Sequence, residues 1–277
     1  MIKKRELLSF IGIGTGSFSE KIYNYIRVHP EVSVPEEAID FFCNHEKYTK
    51  GVDWYEGFFQ KDEDKKQGEL SNHYLQNYDS AELIAKTYPD ANLIAVIDNP
   101  ILALKLEYIR SKDRKKRDNY TFEQFISVNK NLLKNFLYGQ QLVSFFSFYS
   151  SINLKVIILS DLNDRPLEEL KSVYEHIGVD SGFVPADLKH LMIDDEADSG
   201  HKGLIKRMTS YIKEKIKTLL NFLNDKLKPK KITLSDIDKA NRLIISKELE
   251  VELKEYYKQD IKVISNLLHR DFAEEWG

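Results

Sequence analysis

The segment Phe10-Ile-Gly-Ile-Gly-Thr-Gly-Ser-Phe-Ser19 decides the fold. It continues the apolar run Leu7-Leu-Ser-Phe-Ile-Gly-Ile13, which predicts a buried strand, and it leads into an amphipathic helix with Ile22, Tyr25 and Ile26 facing inward. A glycine-rich turn between a strand and a helix presents backbone N–H groups and a helix N-terminus to an anion. The segment therefore predicts a phosphate-binding turn, although it lacks the lysine that such turns normally carry.

Two further apolar runs predict strands, at 91–97 and at 154–159, and both are typical of parallel sheets covered on both faces. Helical patterns follow each strand, and residues 121–149 are helical and rich in phenylalanine that we expect in the core. Apolar residues with helical spacing at 205–223 and 249–268 predict two C-terminal helices. This order predicts a single α/β domain over 1–277, with a mainly parallel sheet, flanking helices and a helical C-terminal extension at about 203–277.

The composition argues against several classes of function. The chain has 277 residues and a formal net charge of -3, so it lacks the basic excess that nucleic-acid binding usually needs. Only one cysteine is present, Cys43, and no apolar run approaches the ~18 residues needed to cross a bilayer, so we expect a cytoplasmic protein without a membrane span. The histidines show no spacing suited to a metal site, and we expect surface or packing roles for them, including His45, His73, His190 and His201.

Two other patterns leave alternatives open. The alternating Gly12, Gly14 and Gly16 fit a Rossmann-type dinucleotide site, but Ser17 stands at its third glycine and no strong second strand precedes the acidic pair Glu36-Glu37. The basic run at 112–117 is either a contact for an acidic glycan or a solvated loop.

Several segments, in their order along the chain, resemble the sulfotransferases that use 3′-phosphoadenosine 5′-phosphosulfate, particularly the carbohydrate-acting branch. Besides the glycine turn, the resemblance rests most on Lys50-Gly-Val-Asp-Trp-Tyr55 and Asp98-Asn-Pro100, and also on Gly68–Leu75 and Leu267–Trp276. It implies a P-loop-like α/β fold and the transfer of a sulfuryl group from that nucleotide to a hydroxyl or amine of a glycan.

The resemblance also assigns the donor-binding residues. In relatives a lysine of the first turn contacts the 5′ phosphate, and here that position holds Thr15 or Gly16, depending on the register. The remaining contacts to the phosphate are expected from the turn itself, namely Gly12, Gly14, Thr15, Gly16, Ser17, Phe18 and Ser19. Relatives hold the 3′ phosphate with an arginine and a serine at the positions of Asp98 and Leu106.

An aspartate ~4 Å from a phosphate would repel it by about 4 kcal/mol per unit charge at an effective dielectric of 20. We therefore expect weak donor binding or none, unless another cation replaces the lost arginine. Lys105 and Arg110 are the nearest candidates.

The resemblance places the catalytic glutamate of carbohydrate-acting relatives at Ala38. Its neighbour Glu37 serves only if a bulge shifts the strand register, and Asp40 is a candidate for a displaced base. Two hypotheses follow. The chain is a sulfotransferase, or it is a degenerate, inactive relative that binds a glycan, an altered nucleotide or a protein partner.

Overall fold

The structure, a computed structural model, describes residues 5–14, 19–59, 62, 64–114, 120–189 and 234–276. The chain divides into two compact units, Met1–Phe183 with Ile232–Gly277, and Val184–Lys231. Of the second unit the description covers 184–189, where the Leu188 N–H donates to the Pro185 carbonyl at 2.9 Å. The predicted helix at 205–223 lies outside the described residues, and the single domain over 1–277 stays a prediction.

A five-stranded, wholly parallel sheet forms the centre of the first unit. The strands are β1 (Phe10–Ile13), β2 (Val32–Ser33), β3 (Lys66–Ser71), β4 (Asn92–Ile97) and β5 (Leu154–Ile158), in the spatial order β2-β3-β1-β4-β5. The three strands predicted from apolar runs are confirmed as β1, β4 and β5. Two strands, β2 and β3, were not predicted.

Helices cover the sheet and continue to the C-terminus. In chain order the described α-helices are α1 (Glu20–Arg27), α2 (His45–Tyr48), α3 (Val52–Glu56), α4 (Tyr78–Thr87), α5 (Pro100–Arg114), α6 (Phe122–Val128), α7 (Tyr138–Phe146), α8 (Leu159–Asp164), α9 (Pro166–Ile177), α10 (Leu234–Arg242), α11 (Lys247–Leu268) and α12 (Phe272–Trp276). None of these helices has the length and apolarity needed to cross a bilayer.

Local sequence explains the boundaries of these helices. The first helix ends at Arg27, just before His29 and Pro30, and its predicted inward residues Ile22, Tyr25 and Ile26 are buried. Thr121 starts α6 with a capping box, in which its side chain accepts from the Gln124 N–H and the Gln124 side chain accepts from the Thr121 N–H.

The phenylalanine-rich region folds as α6, a 3-10 helix at Lys130–Phe136, and α7. Phe122, Phe136 and Phe145 lie in the core, as predicted, whereas Phe148 is 50% exposed.

The C-terminal helix α11 packs on α7 through one buried carboxylate. Asp260 accepts the backbone N–H groups of Gly139 and Gln140 at 2.8 and 2.9 Å. A Cβ on Gly139 would lie 2.5 Å from the Asp260 carbonyl oxygen, so the close approach of the two helices requires glycine there. The helix predicted at 249–268 is therefore confirmed, and its docking is fixed by hydrogen bonds to the free N–H groups at the start of α7.

The strand order places a crevice beside β1. From β1 the chain passes to β2 and then to β3 on one side, and the connection after β3 crosses β1 to reach β4 and then β5 on the other side. Ligands of open parallel sheets bind at such a switch point, outside the carboxyl ends of the strands. The residues that follow β1, β3, β4 and β5 are thus the ones to examine for chemistry.

Candidate functional site

The glycine turn after β1 packs tightly against the start of α1. A Cβ on Gly12 would lie 2.7 Å from the ring of Tyr23, and a Cβ on Gly14 would lie 1.7 Å from the Ser19 hydroxyl oxygen. These two glycines are therefore required by the close approach of α1. Ser19 is fully buried at the junction of turn and helix. The predicted phosphate contacts Thr15, Gly16, Ser17 and Phe18 lie outside the described residues.

Tyr23 connects the turn to the neighbouring strand. Its hydroxyl accepts the Gly14 N–H at 2.6 Å and donates to the carbonyl of Ser71, the last residue of β3, at 3.0 Å. Burial raises the pKa of this hydroxyl, so it stays protonated and keeps both bonds. The carboxyl ends of β1 and β3 are thus held together by one side chain.

Three polar side chains meet at the carboxyl end of β3. Asp40 accepts the hydroxyl of Ser71 at 2.5 Å through Oδ1, and its Oδ2 lies 3.0 Å from Nδ1 of His73. The same Ser71 hydroxyl accepts the backbone N–H of His73 at 3.1 Å. Asp40 was predicted as a displaced base, and the structure places it in this cluster.

The cluster has the electrostatics of an acid–base pair. The hydrogen bond to Asp40 raises the pKa of His73, and the bonds from His73 and Ser71 outweigh burial and lower the pKa of Asp40. Because Nδ1 faces Asp40, the His73 tautomer that donates to the carboxylate leaves Nε2 as a proton acceptor. The His73 side chain is 59% exposed, so it is accessible to another molecule. Sequence reasoning assigned this histidine a surface or packing role and missed its contact with Asp40.

The other base candidates lie elsewhere. Glu37 and Ala38 follow β2, which ends at Ser33, so they stand outside the sheet. Both line a cavity of about 860 Å³ along the sheet edge, together with Trp54 and Lys47. The side chain of Glu37 is exposed. Asp40, Ser71 and His73 are not among the residues that line this cavity.

Asp98 directly follows β4 and is only 2% exposed. Its Oδ1 accepts the Asn99 N–H at 2.8 Å, and burial, reinforced by the charge of Asp161, raises its pKa to about 7. At neutral pH the group is therefore only partly ionised, which weakens the repulsion of a nearby phosphate that a full charge would cause. Leu106, the other position that relatives use for the 3′ phosphate, is fully buried in α5.

An ion-pair network covers the carboxyl end of β5. Arg270, which follows α11, donates to both carboxylate oxygens of Asp161 in α8, with Nη2 at 3.0 Å from Oδ1. It also donates to both oxygens of Glu275 at 2.6 Å. Such paired bonds are the strongest that a guanidinium makes. The charge of Arg270 is thus balanced by acids of the chain itself.

The candidate replacement cations differ in their surroundings. Arg110 lies 3.2 Å from Glu107. Lys105 lines a cavity of about 350 Å³ that also includes Asn99 and Lys254, and burial lowers the pKa of its amine. Of the two, Lys105 is the one adjacent to the residues after β4.

The first turn of α1 carries another cation, Lys21. Its Nζ donates to the Asn163 side chain of α8 at 2.6 Å. Lys21 thus points across the strand ends toward β5.

The described residues fit part of a nucleotide donor. The buried Ser19 hydroxyl and the N-terminus of α1 suit one phosphate. At the other end, Lys105 lines a cavity together with Asn99, the residue after Asp98, and provides positive charge there. Within the described ranges, no group of three His, Cys, Asp or Glu side chains could hold a metal ion.

The chain is similar in sequence to known sulfotransferases. No sequence model of a known protein family matches the chain. The human bifunctional heparan sulfate N-deacetylase/N-sulfotransferase 2 is 27% identical over 182 residues, covering 57% of this chain and 20% of that protein. The mouse heparan sulfate glucosamine 3-O-sulfotransferase 5 is 22% identical over 181 residues, covering 61% of this chain and 52% of that protein. The chain thus spans about a fifth and about half of the lengths of these two relatives.

The fold has a solved counterpart. The crystal structure of a sulfotransferase from Alicyclobacillus acidocaldarius superposes with a TM-score of 0.67 at 16% identity, and the match covers 96% of this chain and 98% of the other. The predicted fold class, a sulfotransferase-type α/β fold, is confirmed.

Proposed function

We propose that the chain is a sulfotransferase that transfers a sulfuryl group to a hydroxyl or amine of a glycan, because it resembles heparan sulfate sulfotransferases in sequence and a sulfotransferase in fold. The observation that carries this proposal is the cluster of Asp40, Ser71 and His73 at the strand end next to the glycine turn. When bound, 3′-phosphoadenosine 5′-phosphosulfate supplies the sulfuryl group and leaves as adenosine 3′,5′-bisphosphate. A cytoplasmic location remains part of the proposal on the sequence argument alone.

In this proposal His73 is the general base. Its Nδ1–H donates to Asp40, and Nε2 takes the proton from the acceptor hydroxyl or amine as that group becomes a nucleophile. Asp40 holds the ring in this tautomer and stabilises the imidazolium that forms. Ser71 occupies the other oxygen of Asp40, so the carboxylate keeps one orientation. Positioned bases of this kind contribute roughly 10²–10⁴-fold to a rate.

The residues that would hold the donor are few. Ser19 and the N-terminus of α1 would contact the 5′ phosphate, and Lys105 would stand near the second phosphate. The lysine of the turn and the arginine before Asn99 are replaced in this chain, and each lost charge-assisted bond is worth roughly 1.5–3 kcal/mol. We therefore expect donor affinity to be weak.

A second candidate function is glycan binding without transfer, and the cavity of about 860 Å³ favours it. Its lining combines aromatic Trp54 and Phe58 with basic Lys50, whose Nζ lies 4.6 Å from the centre of the Trp54 ring. Within the part of the chain that the structure describes, Nε of Arg27 and Oε1 of Gln67, two lining residues, are buried without hydrogen-bond partners. Asp40, Ser71 and His73 are not among the lining residues, so this cavity does not depend on the proposed chemistry.

Calorimetric titration with adenosine 3′,5′-bisphosphate, followed by a transfer assay on glucosamine-containing oligosaccharides, tests the two functions. We expect weak binding and measurable transfer, which His73→Asn abolishes and which the exposed control His45→Asn leaves unchanged. No nucleotide binding and no transfer, together with oligosaccharide binding that Trp54→Ala removes, would establish the second function instead. Transfer that survives His73→Asn would refute the assignment of the base.

A further inference from the structure

Glu69 lies at the centre of a buried hydrogen-bond cluster behind Asp40. Its Oε2 accepts the hydroxyls of Tyr55 and Tyr74 at 2.5 and 2.6 Å. Its Oε1 accepts the backbone N–H groups of Ile39 and Asp40 at 3.0 and 2.9 Å. Burial raises the pKa of this carboxyl, and the four donors that converge on it oppose that shift, because they suit the ionised, acceptor-only form.

The backbone that Glu69 holds is in an unusual conformation. Asp40 has φ 55° and ψ 37°, in the left-handed region that residues other than glycine rarely adopt. Such conformations persist where surrounding contacts fix them, and they concentrate at functional sites. Here the fixed backbone directs the Asp40 carboxylate toward Ser71 and His73.

We infer that Glu69 is a positioning residue for the proposed base: by holding the N–H groups of Ile39 and Asp40, it keeps the Asp40 carboxylate against His73. This inference rests on the proposed function for its catalytic meaning. The contacts themselves do not depend on any substrate.

Other charged groups also face the pair. Lys47 of α2 donates to the Ile39 carbonyl at 2.6 Å, and its positive charge lowers the pKa of both Asp40 and His73. Cys43 lies 3.6 Å from the Asp40 carbonyl oxygen, and burial raises the pKa of its thiol to about 12, so it stays neutral. Lys47 and Glu69 are therefore charged groups near Asp40 and His73. A test must separate the effect of the Glu69 charge from the effect of its hydrogen bonds to the backbone.

Two substitutions make that separation. Glu69→Gln removes the charge and replaces an acceptor with a donor, whereas Glu69→Asp keeps the charge and withdraws it from the Asp40 N–H. The matched control is Asp260→Asn, which changes another buried carboxylate that accepts two backbone N–H groups, far from the site in sequence and at the contact between α7 and α11. All variants are made in the full chain.

The measurement is the NMR titration of the His73 ring without donor or acceptor. Both Glu69 variants should move the pKa of His73 back toward the ordinary histidine value, because Asp40 loses its fixed position, while Asp260→Asn leaves that pKa unchanged. If the pKa of His73 shifts in Glu69→Gln alone, only the charge of Glu69 matters. If it shifts in neither variant, the position of Asp40 does not depend on Glu69. Either result overturns the inference.

Activity provides a separate readout. If the chain transfers sulfuryl groups, both variants should lower kcat by roughly 10–100-fold, a part of what a positioned base contributes. An inactive wild-type protein would refute the proposed function but would leave the His73 titration interpretable. If neither Glu69 variant folds, Tyr74→Phe provides a milder change, because it removes one hydroxyl donor from the Glu69 carboxylate. An unchanged pKa of His73 in that variant would count against the positioning role of Glu69.

Discussion

At the carboxyl end of β3, the His73 ring keeps one nitrogen toward Asp40 and the other exposed. At the carboxyl ends of β4 and β5, by contrast, Arg270 is held between Asp161 and Glu275, and Asp98 is buried. The first region therefore holds a group that can exchange a proton with another molecule. In the second region the charge of Arg270 is neutralised by ion pairs within the chain.

This difference separates two tasks that a group-transfer site must combine. Proton transfer needs an accessible base, which the β3 end provides. Tight binding of a doubly phosphorylated nucleotide needs cations that are available to it, and at the β4–β5 end Arg270 is already engaged by acids of the chain. We therefore expect changes at the β3 end to act on rate, and changes at the β4–β5 end to act on stability.

Among the changes that test this comparison, the largest effect is expected from Asp40→Asn, at the β3 end. Without the carboxylate, the pKa of His73 falls toward its ordinary value and the ring loses its fixed tautomer, so transfer at pH 7 should drop roughly 10²–10⁴-fold. Because the wild-type pKa is raised, the rate should rise with pH above the ordinary histidine range, and in the variant this rise should move to lower pH. Initial rates measured across pH 5 to 9 check both statements, with the exposed Asp79→Asn as control.

At the β4 end, Asp98→Asn should stabilise the protein. The folded-state pKa of about 7 lies well above the ordinary aspartate value, so between about pH 4 and 7 the folded carboxyl binds a proton that the unfolded one lacks. Stability is thus lost as pH rises through this window, and the neutral amide should raise the free energy of unfolding at pH 8 by about 2–4 kcal/mol.

Urea unfolding at pH 8 and at pH 4 provides the check for Asp98. The gain should shrink toward zero at the lower pH, because at pH 4 the folded carboxyl is protonated and the unfolded one, near its ordinary pKa, is only partly ionised. An equal gain at both pH values would show that burial does not perturb this carboxyl.

The sequence predicted the parts of the fold that depend on apolar periodicity. Strands β1, β4 and β5 are continuous apolar runs, and they were predicted correctly. Strand β3 reads Lys-Gln-Gly-Glu-Leu-Ser and was missed, because its buried Glu69 is accommodated by hydrogen bonds from Tyr55 and Tyr74 that no local pattern reveals.

The same limit applies to the site. Asp40 was proposed as a base from its place in a motif, but its partner His73 is 33 residues away and meets it only because the segment after β2 runs beside β3. The burial of Asp98 was likewise beyond prediction, since the sequence indicates that a carboxylate follows β4 but not which way it points. Tertiary contacts decide both features.

A smaller effect is expected from Arg270→Ala. The substitution leaves Asp161 and Glu275 without their cation, and we expect a loss of about 1–2 kcal/mol in the free energy of unfolding, since the arginine is partly exposed and solvent screens the pair. The exposed Arg242→Ala is the control in urea unfolding.

The same variant tests the comparison directly. If Arg270 is fully engaged by the chain, its loss should leave the affinity for adenosine 3′,5′-bisphosphate unchanged. A strong loss of affinity by calorimetry would instead place the nucleotide on this arginine and would end the distinction between the two regions.

The smallest effect is expected from Glu37→Gln. Glu37 is exposed and lines the cavity at the sheet edge, whereas Asp40 is held among Ser71, His73 and Glu69. If His73 is the base, the amide should leave the transfer rate within about twofold of wild type, because a surface carboxylate outside the acid–base pair contributes little to proton transfer.

A loss comparable to that of Asp40→Asn would instead identify Glu37 as the base, next to the position that relatives use. Asp40 and His73 would then have a structural role only. Rates of the two single variants and the double variant, measured side by side, decide between these assignments, since two groups in one proton-transfer unit give non-additive losses.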